Sequence, residues 1–305
     1  MSSLRLGDCV ESIYYNNENP TKESHRPFNN GHAQNPPLLR SKGVNRIILF
    51  PGSFNPPHQG HLDLLRHVFG NAREDLNIIA AIIIMTDDER LTAKLSGEED
   101  ALILTRDQRL NLWRGAGIPV DWAWIYDRPE ASWEGFRSRL AKNLKNRDIE
   151  LKFLLLGGPD NIGADRMPDP QSWGCSDVIT SNISRPVDFV YPNSMRQLSG
   201  HTMWKQLDTT WVCNKLRRPK SMVAFVPFSA ETKAPAPPSS TKIRNILSNS
   251  LLEGAEDQLK GVALHPDILV EYVRQRPKPL KPVVERKESP EETKEAPNET
   301  DGDFW

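Results

Sequence analysis

The sequence predicts an α/β fold: a doubly wound parallel sheet in a single domain, with a disordered tail at each end. Short apolar runs such as Ile47 to Phe50 and Ile78 to Met85 are typical of buried strands. A helical pattern over His61 to Phe69 follows the first of these runs. Strands that alternate with helices imply right-handed crossovers and a parallel sheet covered on both faces.

The remaining elements continue this alternation along the chain. Further helices are predicted at Thr105 to Trp113, Trp133 to Leu144, Thr241 to Leu252 and Asp267 to Arg274. Further strands are predicted at Trp122 to Tyr126 and Leu151 to Leu156, and with weaker patterns at Val187 to Tyr191 and Met222 to Val226. The stretch from about 192 to 220 fits the alternation poorly, so we interpret it as an insertion anchored by Trp204 and Trp211.

Both ends of the 305-residue chain lack sustained apolar periodicity. Residues 1–43 are rich in Asn, Pro, Ser and Glu, and residues 276–305 alternate Pro, Lys and Glu. Such segments bury too little apolar surface to offset the entropy lost on ordering. The sequence therefore predicts disordered tails at 1–43 and 276–305 around one domain at 44–275.

Composition argues against several classes of protein. The formal net charge is −1, so the global basic character of a DNA- or RNA-binding protein is missing. The three cysteines are widely separated, which argues against a disulfide scaffold or a CxxC metal site. No apolar run reaches the ~18 residues of a membrane span, and the polar start resembles no targeting peptide. We expect a cytoplasmic or nuclear protein that binds no membrane, and a homo-oligomer is compatible with the sequence.

The first candidate motif is PGSFNPPHQGH, from Pro51 to His61, between a predicted strand and a predicted helix. Gly52 permits a tight turn and close approach of a ligand to the backbone. His58 precedes the helix and His61 lies in its first turn, where free N–H groups attract anions. The pattern favours phosphate binding over a rigid turn with two surface histidines. A zinc site needs more ligands than one His-x-x-His pair.

The second candidate motif is SSTKIR, from Ser239 to Arg244. Ser239 and Ser240 are favourable N-cap residues, and Arg244 lies one turn further on the same helix face as Ser240 and Thr241. A guanidinium there can bind phosphate oxygens in a fork. Two such helix N-termini together can hold one polyphosphate.

These two motifs resemble the nucleotidyltransferase superfamily, which has a GxFxPxHxGH loop and a late ISSTxxR helix. Within it, the chain is most similar to the nicotinamide mononucleotide adenylyltransferases. Weaker similarities occur in family order from about Ile47 to Tyr272: Lys94, Arg109 with Leu112, Ser132-Trp133-Glu134, Gly158-Pro159-Asp160, Trp173, Asp177-Val178-Ile179, and His265 to Tyr272.

The resemblance implies a Rossmann-like domain that transfers AMP from ATP to nicotinamide mononucleotide, forming NAD and pyrophosphate. It implies magnesium carried by ATP, with no metal ligands from the protein. The implied catalytic residues are His58, His61 and Arg244. The implied ATP-binding residues are Gly52, Ser53, Phe54, Gly158, Asp160, Ser239, Ser240 and Thr241. The implied acceptor-binding residues are Lys94, Trp133 and Trp173.

Several alternatives stay open on the sequence. A cytidylyltransferase or a pantetheine-phosphate adenylyltransferase of the same superfamily would carry the same two motifs. A non-catalytic nucleotide-binding protein of this fold is a third option, against which intact His58, His61 and Arg244 argue. Trp133 fits core packing as well as ligand stacking. Asp160 is also a typical turn residue, and Lys94 is typical of a solvated surface.

Overall fold

The computed structural model describes residues 4–16, 25–98, 101–115, 117–229, 238–249 and 254–276. The predicted C-terminal tail therefore lies outside the described residues, apart from Arg276. The strands are β1 (Leu4–Arg5), β2 (Leu38–Leu39), β3 (Val44–Gly52), β4 (Ile78–Met85), β5 (Ala123–Tyr126), β6 (Glu150–Leu156), β7 (Asp177–Ser181), β8 (Val190–Tyr191), β9 (Ser194–Met195), β10 (Lys205–Leu207), β11 (Thr210–Asn214) and β12 (Met222–Val226). The helices are α1 (Leu6–Tyr14), α2 (Gln59–Asn71), α3 (Asp88–Leu95), α4 (Arg106–Gly115), α5 (Trp133–Lys145), α6 (Ser240–Asn249), α7 (Ala255–Leu259) and α8 (Pro266–Arg274).

An eight-stranded sheet in the order β10-β11-β12-β7-β6-β3-β4-β5 forms the centre of the fold. The strands from β12 to β5 pair in parallel, and β10 and β11 add an antiparallel edge. Leu49 of β3 lies opposite Ile82 on one side and Leu155 on the other. The predicted α/β fold with a largely parallel sheet is confirmed.

Helices cover both faces of this sheet. On one face, Ile47 and Leu49 of β3 pack in a core that includes α1 and α5. On the other face, Ile48 and Phe50 pack in a core that includes α2 and α4. Because both faces are buried, β3 and β4 carry the continuous apolar runs that made them visible in the sequence.

The N-terminal segment contributes to the first core, so the prediction of a disordered 1–43 is wrong for the described residues there. Leu4 of β1 pairs with Leu39 of β2. The buried face of α1 includes Leu6, Val10 and Tyr14. These residues follow the helical spacing i, i+4, i+8, which the polar composition of the segment obscured.

The stretch interpreted as an insertion extends the sheet through the hairpin of β10 and β11. Trp204 stacks on Phe189 with 5.2 Å between ring centroids, and Trp211 packs against the first core. The strand predicted over Val187 to Tyr191 is reduced to β8, which pairs with β9 in a separate hairpin. No helix within the described ranges is both long and apolar enough to cross a membrane.

Candidate functional site

A cavity of about 830 Å³ opens at the C-terminal ends of the parallel strands. Its wall includes Gly52 at the end of β3, Thr86 after β4, Gly157 after β6 and Arg185 after β7. The chain winds from β3 through β4 to β5 in one direction and from β6 through β7 to β12 in the other. The cavity therefore lies where the winding reverses, which is the usual ligand-binding position of open α/β sheets.

The first wall of the cavity is the N-terminus of α2. The backbone N–H of His58 donates a hydrogen bond to Nδ1 of His61 at 3.2 Å. Their rings stack with 3.6 Å between centroids and 20° between planes. Because Nδ1 of His61 accepts, its neutral ring carries the proton on Nε2, which can donate to a ligand.

Both imidazoles are neutral at neutral pH. Burial, reinforced by the charge of Arg185, lowers the pKa of His58 to about 3. Burial and the nearby His58 and Arg185 hold the pKa of His61 well below its usual value. Nδ1 of His58 is buried and has no hydrogen-bond partner among the described residues.

Close packing shapes the loop between β3 and α2. Phe54 lies in the left-handed region with φ of 44°, and its ring packs at 5.0 Å from His61 and 5.1 Å from Trp113. A Cβ atom on Gly52 would approach this ring to 2.7 Å, so glycine is required there. The loop is thus held against the imidazole pair by aromatic packing.

Arg109 of α4, which is fully buried, ties this loop to the next strand. Its guanidinium donates to the carbonyl oxygens of Ser53 at 2.7 Å and Thr86 at 2.8 Å, and to the Asp88 carboxylate at 2.6 Å. Burial lowers the pKa of Arg109, and the Asp88 carboxylate opposes that shift. One side chain therefore sets the spacing between the ends of β3 and β4.

The second wall is the N-terminus of α6. The Ser239 hydroxyl accepts a hydrogen bond from the N–H of Lys242 at 3.1 Å, which is the geometry of an N-cap. The Ser240 hydroxyl donates to the carbonyl of Pro56 at 2.8 Å. Arg244 donates to the carbonyl of Asn55 at 2.9 Å. The two predicted motifs therefore contact each other directly.

Two ion pairs on the cavity wall were not predicted from the sequence. Arg244 pairs with the Glu98 carboxylate at 2.8 Å, and Arg185 pairs with Asp160. Arg244 is nearly buried, whereas the Glu98 side chain is 47% exposed. In each pair the two residues lie far apart along the chain. The sequence around Glu98 or around Arg185 therefore gives no local signal of its partner.

The cavity gathers all but one of the predicted site residues. The residues on its wall are Gly52, Ser53, Phe54, His58, His61, Lys94, Gly158, Asp160, Trp173, Ser239, Ser240, Thr241 and Arg244. Trp133 is the exception. It is 2% exposed in the core, and its Nε1 donates to the carbonyl of Trp173 at 3.3 Å. The core-packing alternative for Trp133 therefore applies, and its contact with the cavity runs through Trp173.

Across the described parts of the chain, no group of three or more His, Cys, Asp or Glu side chains is arranged to hold a metal ion. The carboxylates on the cavity wall are those of Glu98 and Asp160, each already paired with an arginine.

Residues 49–159 match the family model described as cytidylyltransferase-like. This match confirms the resemblance to the nucleotidyltransferase superfamily over a segment that contains the whole histidine motif. Comparison with curated protein sequences found no match.

Among solved structures, the chain is similar to two of Plasmodium falciparum nicotinic acid mononucleotide adenylyltransferase. The one complexed with NaAD has 11% identity and a TM-score of 0.39. The one complexed with APC has 12% identity and a TM-score of 0.40. Each comparison covers 75% of this chain and 96% of the other.

Proposed function

We propose that this protein is a nucleotidyltransferase that transfers AMP from ATP to nicotinamide mononucleotide, releasing pyrophosphate and forming NAD. The observation that carries the proposal is the meeting of two helix N-termini on one cavity. The N-terminus of α2 contributes His58 and His61, and that of α6 contributes Arg244. An imidazole donor and a guanidinium at two helix N-termini together suit a polyphosphate better than any other common ligand.

In the proposed reaction, a phosphate oxygen of the acceptor attacks the α-phosphorus of ATP in line. A new P–O bond forms while the bond between the α-phosphorus and the oxygen bridging to the β-phosphate breaks, so pyrophosphate leaves. A phosphate monoester is largely dianionic at neutral pH, since its second pKa is about 6. It needs no general base, and catalysis reduces to positioning and charge stabilisation.

The imidazole pair would stabilise charge that develops on the α-phosphate. Neutral His61 offers Nε2–H as a donor, and the His58 ring, which also lines the cavity, stacks on it. Donors fixed in a water-poor pocket before the reaction lose little energy to reorganisation. Nearby Arg185 adds positive charge to the same wall.

Arg244 would hold the departing pyrophosphate in place of its present partner Glu98. The half-exposed Glu98 carboxylate can move into solvent, whereas Arg244 stays anchored through the carbonyl of Asn55. We propose that magnesium enters as part of the MgATP substrate, coordinated by phosphate oxygens and water.

Trp173 and Lys94 would bind the acceptor. Trp173 is half-buried on the cavity wall and can contact a flat ring. Lys94, near the end of α3, lies 3.3 Å from the Ser53 hydroxyl and supplies positive charge. The sequence resemblance supports nicotinamide as that ring.

An acceptor panel tests the proposal. The protein would be incubated with MgATP or MgCTP and with nicotinamide mononucleotide, pantetheine phosphate, choline phosphate or glycerol phosphate, and pyrophosphate would be measured. We expect the highest rate with ATP and nicotinamide mononucleotide, and loss of that rate in a His58→Ala, His61→Ala double variant. A preference for CTP with choline or glycerol phosphate would instead identify a cytidylyltransferase. ATP binding without pyrophosphate release from any pair would identify a non-catalytic nucleotide-binding protein.

A further inference from the structure

The cavity wall carries one arginine that the proposed mechanism does not use. Four lysine or arginine side chains line the cavity: Lys94, Arg166, Arg185 and Arg244. Two carboxylates line it as well, those of Glu98 and Asp160. Each carboxylate pairs with one arginine, Arg244 or Arg185, and Lys94 contacts the Ser53 hydroxyl. No hydrogen bond or ion pair joins the Arg166 guanidinium to any described residue. This exposed cation therefore lines the cavity with no described side-chain partner.

Arg166 closes a tight turn on the connection between β6 and β7. The N–H of Gly163 donates to the carbonyl of Arg166 at 2.8 Å, and the N–H of Arg166 donates back at 3.3 Å. Asp188 accepts a hydrogen bond from the N–H of Ala164 at 2.8 Å, and a Cβ atom on Gly163 would lie 2.8 Å from the same carboxylate. The turn therefore fits closely against the chain that follows β7.

The segment around β9 holds the other side of this turn. The N–H of Ser199 donates to the carbonyl of Ala164 at 2.8 Å. Arg196, which follows β9, pairs with Asp165 at 2.9 Å. Asp165 is thus tied to the β9 segment while its neighbour Arg166 lines the cavity. These contacts fix the backbone of the turn beside the cavity, and the exposed Arg166 side chain extends from it.

Arg185 and Arg244 already serve the reacting phosphates in the proposed mechanism, which leaves Arg166 for the acceptor. Arg185 is the arginine whose charge acts on His58 and His61, so it serves the reacting phosphates. Arg166 belongs to the connection between β6 and β7, where it lies between Asp160 and Trp173 along the chain, all three on the cavity wall. It is followed by Met167 and Pro168, which add apolar surface to the same wall.

We propose that Arg166 is a specificity residue that binds an anionic group of the acceptor, either the phosphate that every pyridine mononucleotide carries or the ring carboxylate that the nicotinic acid form has in place of the amide. This inference rests on the proposed function, because it takes the acceptor to be a pyridine mononucleotide. A guanidinium presents paired donors that match both groups. An acceptor that lacks the recognised group would bind without help from Arg166.

Calorimetric titration of the full chain tests this inference. The ligands are nicotinamide mononucleotide, nicotinic acid mononucleotide and nicotinamide riboside, each with wild type, Arg166→Ala, Arg166→Lys and the control Arg139→Ala on the exposed face of α5. Arg166→Ala should lower the affinity for one or both mononucleotides about tenfold or more, as expected for a lost charge-assisted hydrogen bond. The affinity for the riboside should not change. Arg166→Lys keeps the charge and should lose less affinity than Arg166→Ala. The affinities of Arg139→Ala should equal those of wild type.

The pattern of losses separates the two sources of the anion. If Arg166→Ala loses affinity for both mononucleotides, Arg166 binds the phosphate. If it loses affinity for the nicotinic acid form alone, Arg166 binds the ring carboxylate. Equal affinities in wild type and Arg166→Ala would overturn this inference and leave the proposed function standing. Weakened binding of a non-hydrolysable ATP analogue, with acceptor affinities unchanged, would also overturn it by placing Arg166 on the ATP. Failure of wild type to bind any of the three ligands would overturn the proposed function and this inference together.

Discussion

At the scale of single residues, the proposed chemistry of the cavity depends on the stacked imidazoles of His58 and His61. Both are neutral in the free protein because burial and Arg185 lower the pKa of each ring. Neutral rings add no repulsion to one another at 3.6 Å and each can donate one hydrogen bond. An anionic ligand would then favour their charged forms.

We predict that His61→Ala lowers kcat by about 10²-fold or more, because one preorganised donor contributes ~3 kcal/mol in comparable sites. Arg244→Lys keeps the charge but loses the planar fork, so it should also impair turnover. His67→Ala is the matched control, since His67 lies on the same helix but away from the cavity wall. Steady-state kinetics measured beside thermal melting checks this. A lower melting temperature with unchanged kcat per folded molecule would mean that His61 acts only on the fold.

The same imidazoles make stability depend on pH. The folded pKa of His58 is about 3, below its ordinary value of 6.5, so the unfolded chain binds more protons at pH 5 to 6. We therefore predict that the free energy of unfolding falls as pH drops below 6.5, by up to about 1.4 kcal/mol per pH unit for each such histidine. Chemical denaturation of the free protein between pH 6.5 and 5 measures this slope.

A His58→Gln, His61→Gln double variant is the comparison for that slope. Glutamine keeps polar atoms in the cavity but cannot take up a proton in this range. The variant should show a shallower dependence than wild type. Identical slopes in the two proteins would contradict the lowered pKa values.

Sequence reasoning found the residues that sit in contiguous motifs and missed those whose partners are distant. Gly52, the two histidines and Arg244 could be predicted because strand, loop and helix follow one another in the chain. Glu98 and Arg185 could not be predicted, because their partners Arg244 and Asp160 are distant in the chain and meet them only in the folded structure.

At the scale of elements, a strand or helix could be predicted from the sequence when its buried faces produced a clear apolar pattern. Strands β3 and β4 are covered on both faces and show unbroken apolar runs. Strand β7 is short and includes Asp177, Thr180 and Ser181, so its pattern did not stand out. Helix α1 was missed because its apolar residues are embedded in a polar segment.

We predict that Leu6→Ala destabilises the protein by about 2–5 kcal/mol, as for a leucine removed from a closed core. Leu6 is fully buried at the start of α1. Leu38→Ala is the control, because Leu38 of β2 is 43% exposed and a surface change of this kind stays within about 0.5 kcal/mol. Equilibrium unfolding measures both. Equal stability of the two variants would mean that α1 does not pack on the sheet in solution.

At the scale of the whole molecule, a nearly neutral chain concentrates positive charge in one place. The formal net charge is −1, yet the cavity wall carries four lysine or arginine side chains and two carboxylates. A cationic cleft attracts an anionic ligand without giving the whole surface the positive charge that causes nonspecific binding of nucleic acid. The strand order brings this charge together, since the connections that follow β3, β4, β6, β7 and β12 each contribute part of the wall.

The central claim is that chemistry takes place at the α-phosphorus of ATP between the two helix N-termini. Its most direct test follows radiolabelled phosphorus placed in either the α or the γ position of ATP during turnover with nicotinamide mononucleotide. We predict that the α label enters the dinucleotide product, that the γ label leaves in pyrophosphate, and that both transfers disappear in the His58→Ala, His61→Ala variant. Transfer of the γ label to the acceptor, or release of the γ label as inorganic phosphate alone, would contradict the claim.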